Sequence, residues 1–428
     1  MNYRQRDDWI DLCREDLDLA ARALCELARE ERWSSARWNS ALQVWSEDKY
    51  LGKSWRRLSS FLVRAPEEFL REISQNAARW VRGAAGVVGG GDAVFLDLCE
   101  RLLRLDYPPA KPTGDPLTQA INHPIGDATE ALLQWWFRTG LEDGQGLLPK
   151  LQPVFSELCN IEYAQYRHAR VWLAARAITL FRVDSEWTKE NLVPLFDWES
   201  HPNEAGGIWS GFLQSARFFL PFIDLIKDPF FGTVDHYEEL GERGSIYAGL
   251  LVFAALDESG TFRRKDLRDA TKKLPDDGLQ HTARLLAQLV DGKDDQGKYW
   301  EARVKPYLQS IWPQLDIPRA ELVHMNLAEL CIVAGELFPD AMKTLKYWLK
   351  PLGQHAGYVV NLLHDAGHCK KWPKHSLELL HRVVDTNYQW APTALGDCLT
   401  EITDAEEALH NDPRFLPLVE FQRGKRGS

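Results

Sequence analysis

Apolar residues recur at three- and four-residue spacing along nearly the whole chain. In DDWIDLCREDLDLAARALCELAREE, Trp9, Leu12, Cys13, Leu17, Ala20, Leu24 and Leu27 keep that rhythm, which places them on one face of a helix. It returns at Val171, Leu173, Ala174, Ala177, Ile178 and Phe181, and again at Leu322, Leu327, Leu330, Cys331 and Ala334. Period-two alternation bounded by turn residues is hard to find. About twenty short helical segments, punctuated by Gly, Pro, Asp or Asn, are expected. The predicted fold class is all-α.

Consecutive helices of this length suggest antiparallel pairs stacked side by side. One pair with its turns takes about 40 residues, the scale of HEAT-type repeats. Segments 149–182, 185–226, 228–257, 263–291, 293–335 and 336–367 fit that scale loosely, without a repeated motif. The expectation is therefore an irregular, HEAT-like α-solenoid. Neighbouring pairs would cover both faces of each helix, which accounts for helices apolar nearly all round.

The sharpest break is DYPPAKPTGDPLTQAINHP, where Pro108, Pro109, Pro112, Pro116 and Pro124 rule out a continuous helix. It suggests an N-terminal helical subdomain over 1–105, a Pro-rich linker or loop over 106–121, and a helical-repeat domain over 122–428. Just beyond the break, Asp127 and Glu130 fit a D-x-x-E capping box at the start of a helix. Ala128, Leu132, Trp135 and Trp136 would form its buried stripe, and Thr139-Gly140 would close it.

Composition narrows the class. The chain has 428 residues, 45% hydrophobic and 26% charged, as in soluble globular proteins. Its net charge of −11 disfavours nonspecific binding to nucleic acid or anionic lipid. The stretch MNYRQRDDWIDLCRED has no apolar signal core, and no apolar run approaches the roughly 20 residues that span a bilayer. Seven scattered cysteines without CxxC spacing read as reduced thiols in helical patterns. A cytoplasmic protein without membrane association is expected.

Motifs for chemistry are weak. The cluster Gly83, Gly86, Gly89, Gly90, Gly91 follows a helical segment and is followed by Asp92, not by Lys-Ser/Thr, so it reads as a turn rather than a phosphate loop. His364 and His368 share the i, i+4 spacing of zinc proteases, but Asp365 replaces the motif's Glu and Gly367 looks like a helix terminator. Capping and packing is the favoured reading of these histidines, with an enzyme site near His364–His381 as an alternative. No catalytic motif is found, and no cofactor is expected. Seventeen tryptophans read mainly as packing residues, with Trp209 a candidate partner contact. Tyr163, Tyr166, Arg167, His168 and Arg170 form a polar-aromatic cluster that could line a groove for a peptide or nucleotide partner, or equally be the solvated face of an inner helix. Lys49, Lys53, Arg56 and Arg57, in KYLGKSWRRL, are candidate nucleic-acid contacts, weighed against a solvated helix face. FRRKDLRDATKK reads as a charge-mixed exposed helix, and RGKRGS is a third basic segment.

The segments NHPIGDATEALLQWWF (122–137), LVPLFDWESHPNEAGGIWSGFL (192–213), YVVNLLHDAGHCKKWP (358–373) and NDPRFLPLVEF (411–421) resemble the C-terminal helical region of bacterial anti-phage defence proteins of the defence-associated sirtuin type. The resemblance spans roughly 115–421. It implies a helical array that recognises an invader component and controls an effector. The NAD-cleaving, sirtuin-like domain of that family has no counterpart here, because no βαβ pattern with a glycine-rich turn is present. The resemblance thus implies a fragment or separate subunit acting as sensor or scaffold, with a protein partner and no NADase activity of its own.

Overall fold

The second helix shows how the pattern becomes structure. Asp16 accepts a hydrogen bond from the Leu19 amide and caps Leu17–Arg29, satisfying one of the amides left open at a helix start. Leu17, Ala20, Ala21, Leu24, Cys25 and Ala28 are buried along one face, leaving Asp18, Arg22, Glu26 and Arg29 on the other. Asp92, Asp115 and Asp184 cap helices in the same way.

The computed structural model describes residues 8–108, 114–313 and 320–424, and these contain helices, turns and loops but no strand. The chain divides into two compact units, Met1–Ala216 and Arg217–Ser428. In the first unit the helices are α1 (Asp8–Glu15), α2 (Leu17–Arg29), α3 (Ser35–Trp45), α4 (Asp48–Leu62), α5 (Glu67–Glu72), α6 (Ser74–Ala84) and α7 (Ala93–Arg104). Then come α8 (Pro116–Ile121), α9 (Pro124–Phe137), α10 (Gln152–Cys159), α11 (Arg167–Ala174), α12 (Ala177–Val183), α13 (Ser185–Asn191) and α14 (Pro202–Gln214). Packing runs in chain order: α1 on α3, α2 on α4, α3 and α4 on α6, α6 and α7 on α9, α9 on α11, and α11 on α14. One contact departs from that order, α14 reaching back to α8. This is the packing order of an irregular α-solenoid.

In the second unit the helix Asp276–Asp291 packs on Gly244–Leu256 and on Glu321–Val333, and Ala356–Asp365 packs on Glu321–Val333. Leu395–Ala405 then packs on Ala356–Asp365, Pro373–Val383 and Phe415–Gly424. Many helices are shorter than the sequence pattern suggests, because prolines and single-turn breaks divide the longer apolar runs.

Two expectations need correction. The stretch 106–121 does not separate domains. Residues 109–113 lie outside the described residues, but α8 is a helix within the stretch and packs on α9, α11 and α14. The Tyr107 hydroxyl donates to Leu102 O at 2.8 Å, and its ring lies edge-on to His123. Pro116 and Pro124 begin α8 and α9 inside the first unit, and the units part at Ala216/Arg217. Nor do Asp127 and Glu130 form a capping box. Helix α9 starts at Pro124, with His123 as its cap, accepting from the Ile125 amide. Asp127 and Glu130 instead meet Arg82 of α6, at 2.7 and 3.1 Å.

The tryptophans mostly pack. Trp135 and Trp136 are buried on α9, as is Trp209 on α14, whose indole donates to Phe196 O at 3.0 Å. Among the described tryptophans, Trp390 is the exposed one, at 64%. All seven cysteines are free and buried.

Candidate functional site

The outer faces of α2 and α4 form a groove. On α4, Leu51, Ser54, Trp55, Leu58 and Leu62 are buried, so Lys53, Arg56, Arg57 and Phe61 point away from the core at helical spacing. Two indoles fix the inner face. Trp55 Nε1 donates to Asp92 Oδ2 at 2.9 Å, and Trp80 Nε1 donates to Ser54 Oγ at 2.9 Å. Arg101 of α7 closes the end of α4, donating to the carbonyls of Leu62, Val63 and Ala65 at 3.2, 2.6 and 2.7 Å. These are carbonyls that a helix end leaves without internal partners.

Two adjoining hollows lie along this face. One, of about 510 Å³, is lined by Ala28, Arg29, Glu31, Trp33, Ser60, Phe61, Arg64 and Pro66. The other, of about 420 Å³, is lined by Asp18, Ala21, Arg22, Cys25, Glu26 and Arg29 from α2 and by Arg56, Arg57, Ser60 and Phe61 from α4. Arg29, Ser60 and Phe61 belong to both. The Arg29 guanidinium lies over the Phe61 ring, 5.5 Å from its centroid.

Some of these cations are already engaged. Asp18 takes Lys53 Nζ at 2.7 Å and Arg57 at 3.3 Å, and hydrogen bonding from Lys53 holds its carboxyl below the usual carboxylate range. Arg29 pairs with Glu26. Arg22, Arg56 and Arg64 are exposed and, among the described residues, have no carboxylate partner. From Lys49 to Pro66 the sequence carries five cations and no acid, within a chain of net charge −11. Cys25 also lines the groove, but burial pushes its thiol up and away from the reactive thiolate.

The structure sorts the residues named from sequence. Arg56 and Arg57 line the groove, whereas Lys53 pairs with Asp18 at 2.7 Å and Lys49 with Glu47 at 3.1 Å, both outside its lining. Arg22, Arg29 and Arg64 were missed. The acid-free run to Pro66 was a signal for Arg64, but the α2 arginines alternate with acids and carry no such mark.

The polar-aromatic cluster does not line a groove as a set. Tyr163 is exposed, but Tyr166 and His168 are buried. Tyr166 donates to Glu157 Oε1 at 3.0 Å. His168 stacks on His123 with ring centroids 4.1 Å apart. Burial lowers both imidazoles to about 4, helped at His123 by His168 and at His168 by Arg167 and Arg170. Fully buried Arg170 pairs with Glu204 Oε2 at 2.8 Å and donates to three carbonyls, of Leu158, Asn160 and Tyr163. Arg167 reaches the same Glu204 at 3.4 Å. These residues staple α11 to α14. Trp209, a candidate contact, is buried and cannot meet a partner.

His364 and His368 are not brought together as a ligand pair. Gly367 takes a left-handed φ of 69° and ends the helix Ala356–Asp365. His364 faces Asp365 and Glu401, each at 3.5 Å. Buried His368 lies with Nε2 2.9 Å from Ile332 O. Among the described residues, no group of three or more His, Cys, Asp or Glu could hold a metal. The glycine cluster forms a turn braced by Trp135, which donates to Gly89 O, and by Arg138, which donates to Ala85 O and Val88 O. In FRRKDLRDATKK, Arg263 pairs with Asp266 and Lys273 with Asp235, both at 2.7 Å. Residues 425–428 of RGKRGS lie outside the described residues.

No protein-family model matches the chain, and no curated protein matches it. A solved structure described as a circular tandem repeat protein with novel repeat topology and enhanced subunit contact surfaces is similar at 15% identity. The match covers 97% of this chain and 93% of that one, with a TM-score of 0.23. Among the described residues, no single helix is long and apolar enough to cross a membrane.

Proposed function

We propose that the chain is an interaction module that binds a protein partner, the sensor or scaffold of a bacterial, cytoplasmic anti-phage defence system. The observation that carries the binding reading is the α2/α4 groove, where exposed arginines surround the half-buried rings Trp33 and Phe61. Arginine and aromatic residues are the combination that dominates binding energy at protein interfaces. The defence setting rests on the four resembling segments. In that setting the partner is a phage component or an effector encoded separately.

The test is co-purification of the tagged chain from phage-infected cells, followed by reconstitution of the recovered pair from purified components. A defined pair that re-forms in vitro is the expected result. A chain that purifies alone, with neither effector nor phage protein, overturns the reading.

A second reading, nucleic-acid binding, draws on the same unneutralised arginines. It requires binding that falls steeply with added salt as counterions are released.

A further inference from the structure

We infer that the α2/α4 groove takes an acidic segment of a partner protein, one in which apolar side chains are interspersed among carboxylates. The inference rests on the interaction reading above and names the chemistry of its partner.

Charge complementarity selects the occupant. Arg22 on α2, with Arg56 and Arg64 on α4 and just beyond it, stands exposed without a carboxylate partner among the described residues. Their planar guanidinium forks match a carboxylate with two parallel hydrogen bonds. Between them the half-buried rings of Phe61 and Trp33 offer apolar surface. Phe61 borders both hollows, so apolar side chains of a bound segment can sit on either side of it.

A nucleic-acid backbone fits less well. Asp18, Glu26 and Glu31 line the same hollows and would face a regular row of phosphates. A peptide can place an apolar or neutral residue opposite each of these acids. The mixed lining therefore favours a protein segment over a polyanion of uniform charge.

The experiment uses the full chain and a fluorescein-labelled peptide, Glu-Glu-Phe-Glu-Asp-Leu-Glu-Glu, with anisotropy as readout. Comparators are the same peptide with Ser at its Phe and Leu positions, and a labelled single-stranded oligothymidine. The acidic-apolar peptide is expected to bind, and the Ser version at least tenfold more weakly. The triple variant Arg22→Glu, Arg56→Glu, Arg64→Glu is expected to lose at least tenfold in affinity with an unchanged thermal midpoint. Lys189→Glu, an exposed change on α13, is expected to bind as the parent does. Phe61→Ala tests the apolar surface without altering charge and is expected to weaken the acidic-apolar peptide more than its Ser version. The inference is overturned by absence of peptide binding, by binding that charge reversal leaves intact, or by oligothymidine binding preferentially through the same arginines. If the peptide fails while a partner is recovered from infected cells, this inference falls and the interaction reading stands. If the peptide binds but no cellular partner can be recovered, the groove chemistry stands and the defence-partner reading falls.

Discussion

Half-buried His123 and buried His168 and Asp127, all in the first unit, titrate away from their ordinary ranges, and in opposing directions. His123 and His168 are held neutral to about 4, so the unfolded chain takes up their protons first as pH falls below the usual histidine value. Stability from this pair is complete above about pH 6.5 and declines between there and pH 4. Asp127 is pushed up to about 6 by burial, against the pull of Arg82 and Arg79. The folded chain therefore binds that proton first, and stability rises as pH falls from 6 to the usual aspartate range. Near pH 5 the two histidines together outweigh the aspartate, for a net uptake on unfolding of about one proton from the three groups. Urea unfolding midpoints measured from pH 6 to 4.5 should reflect this balance. Asp127→Asn is expected to steepen the loss of stability by about one proton and His168→Gln to flatten it by about one. An unchanged slope in both variants would contradict the assignment. None of this was visible in the sequence, where Asp127 looked like a helix cap. The cap position went to His123, because Pro124 starts the helix earlier, and sequence spacing does not reveal that Arg82 arrives from α6.

At the level of the element, close helix crossings depend on particular glycines. A Cβ on Gly126 of α9 would stand 1.8 Å from Ala120 O, and one on Gly211 of α14 would stand 2.1 Å from Val171 O. Both crossings bring backbone onto backbone, with no flexible side chain to yield. Gly207, on the same helix as Gly211, would place its Cβ 3.4 Å from the Val171 methyl, an ordinary contact. Thermal unfolding should separate them. Gly211→Ala is expected to cost about 3 kcal/mol or more through overpacking, and Gly126→Ala a similar amount. Gly207→Ala should be neutral or gain up to about 1 kcal/mol from helix propensity. Periodicity made the helices themselves legible, and Gly140 and Gly367 end theirs, as the sequence suggested, with positive φ. The α4 half of the groove was legible as a basic run. Its α2 half was not, because which helix faces which is decided by packing rather than by local spacing.

For the whole chain, the boundary at Ala216/Arg217 was hidden from sequence reading. It falls in SARFFLP, which is apolar enough to pass for core, whereas α8, within the proline-rich stretch that looked like a linker, packs on helices of the first unit. Each unit has its own buried core. Fragments 1–216 and 217–428, expressed separately, are expected to be helical and to unfold cooperatively. Circular dichroism melts without a sigmoidal transition in either fragment would count against the division. The order of packing also bears on how the polypeptide folds as it leaves the ribosome. Helices that pair with near neighbours in sequence close short loops, which is the topology associated with rapid folding. The walls of the arginine groove can therefore form while the second unit is still being translated. The α8–α14 contact is the exception, since it waits until the end of the first unit has emerged. That contact makes α14, rather than any earlier helix, the step that completes the first half of the molecule during synthesis.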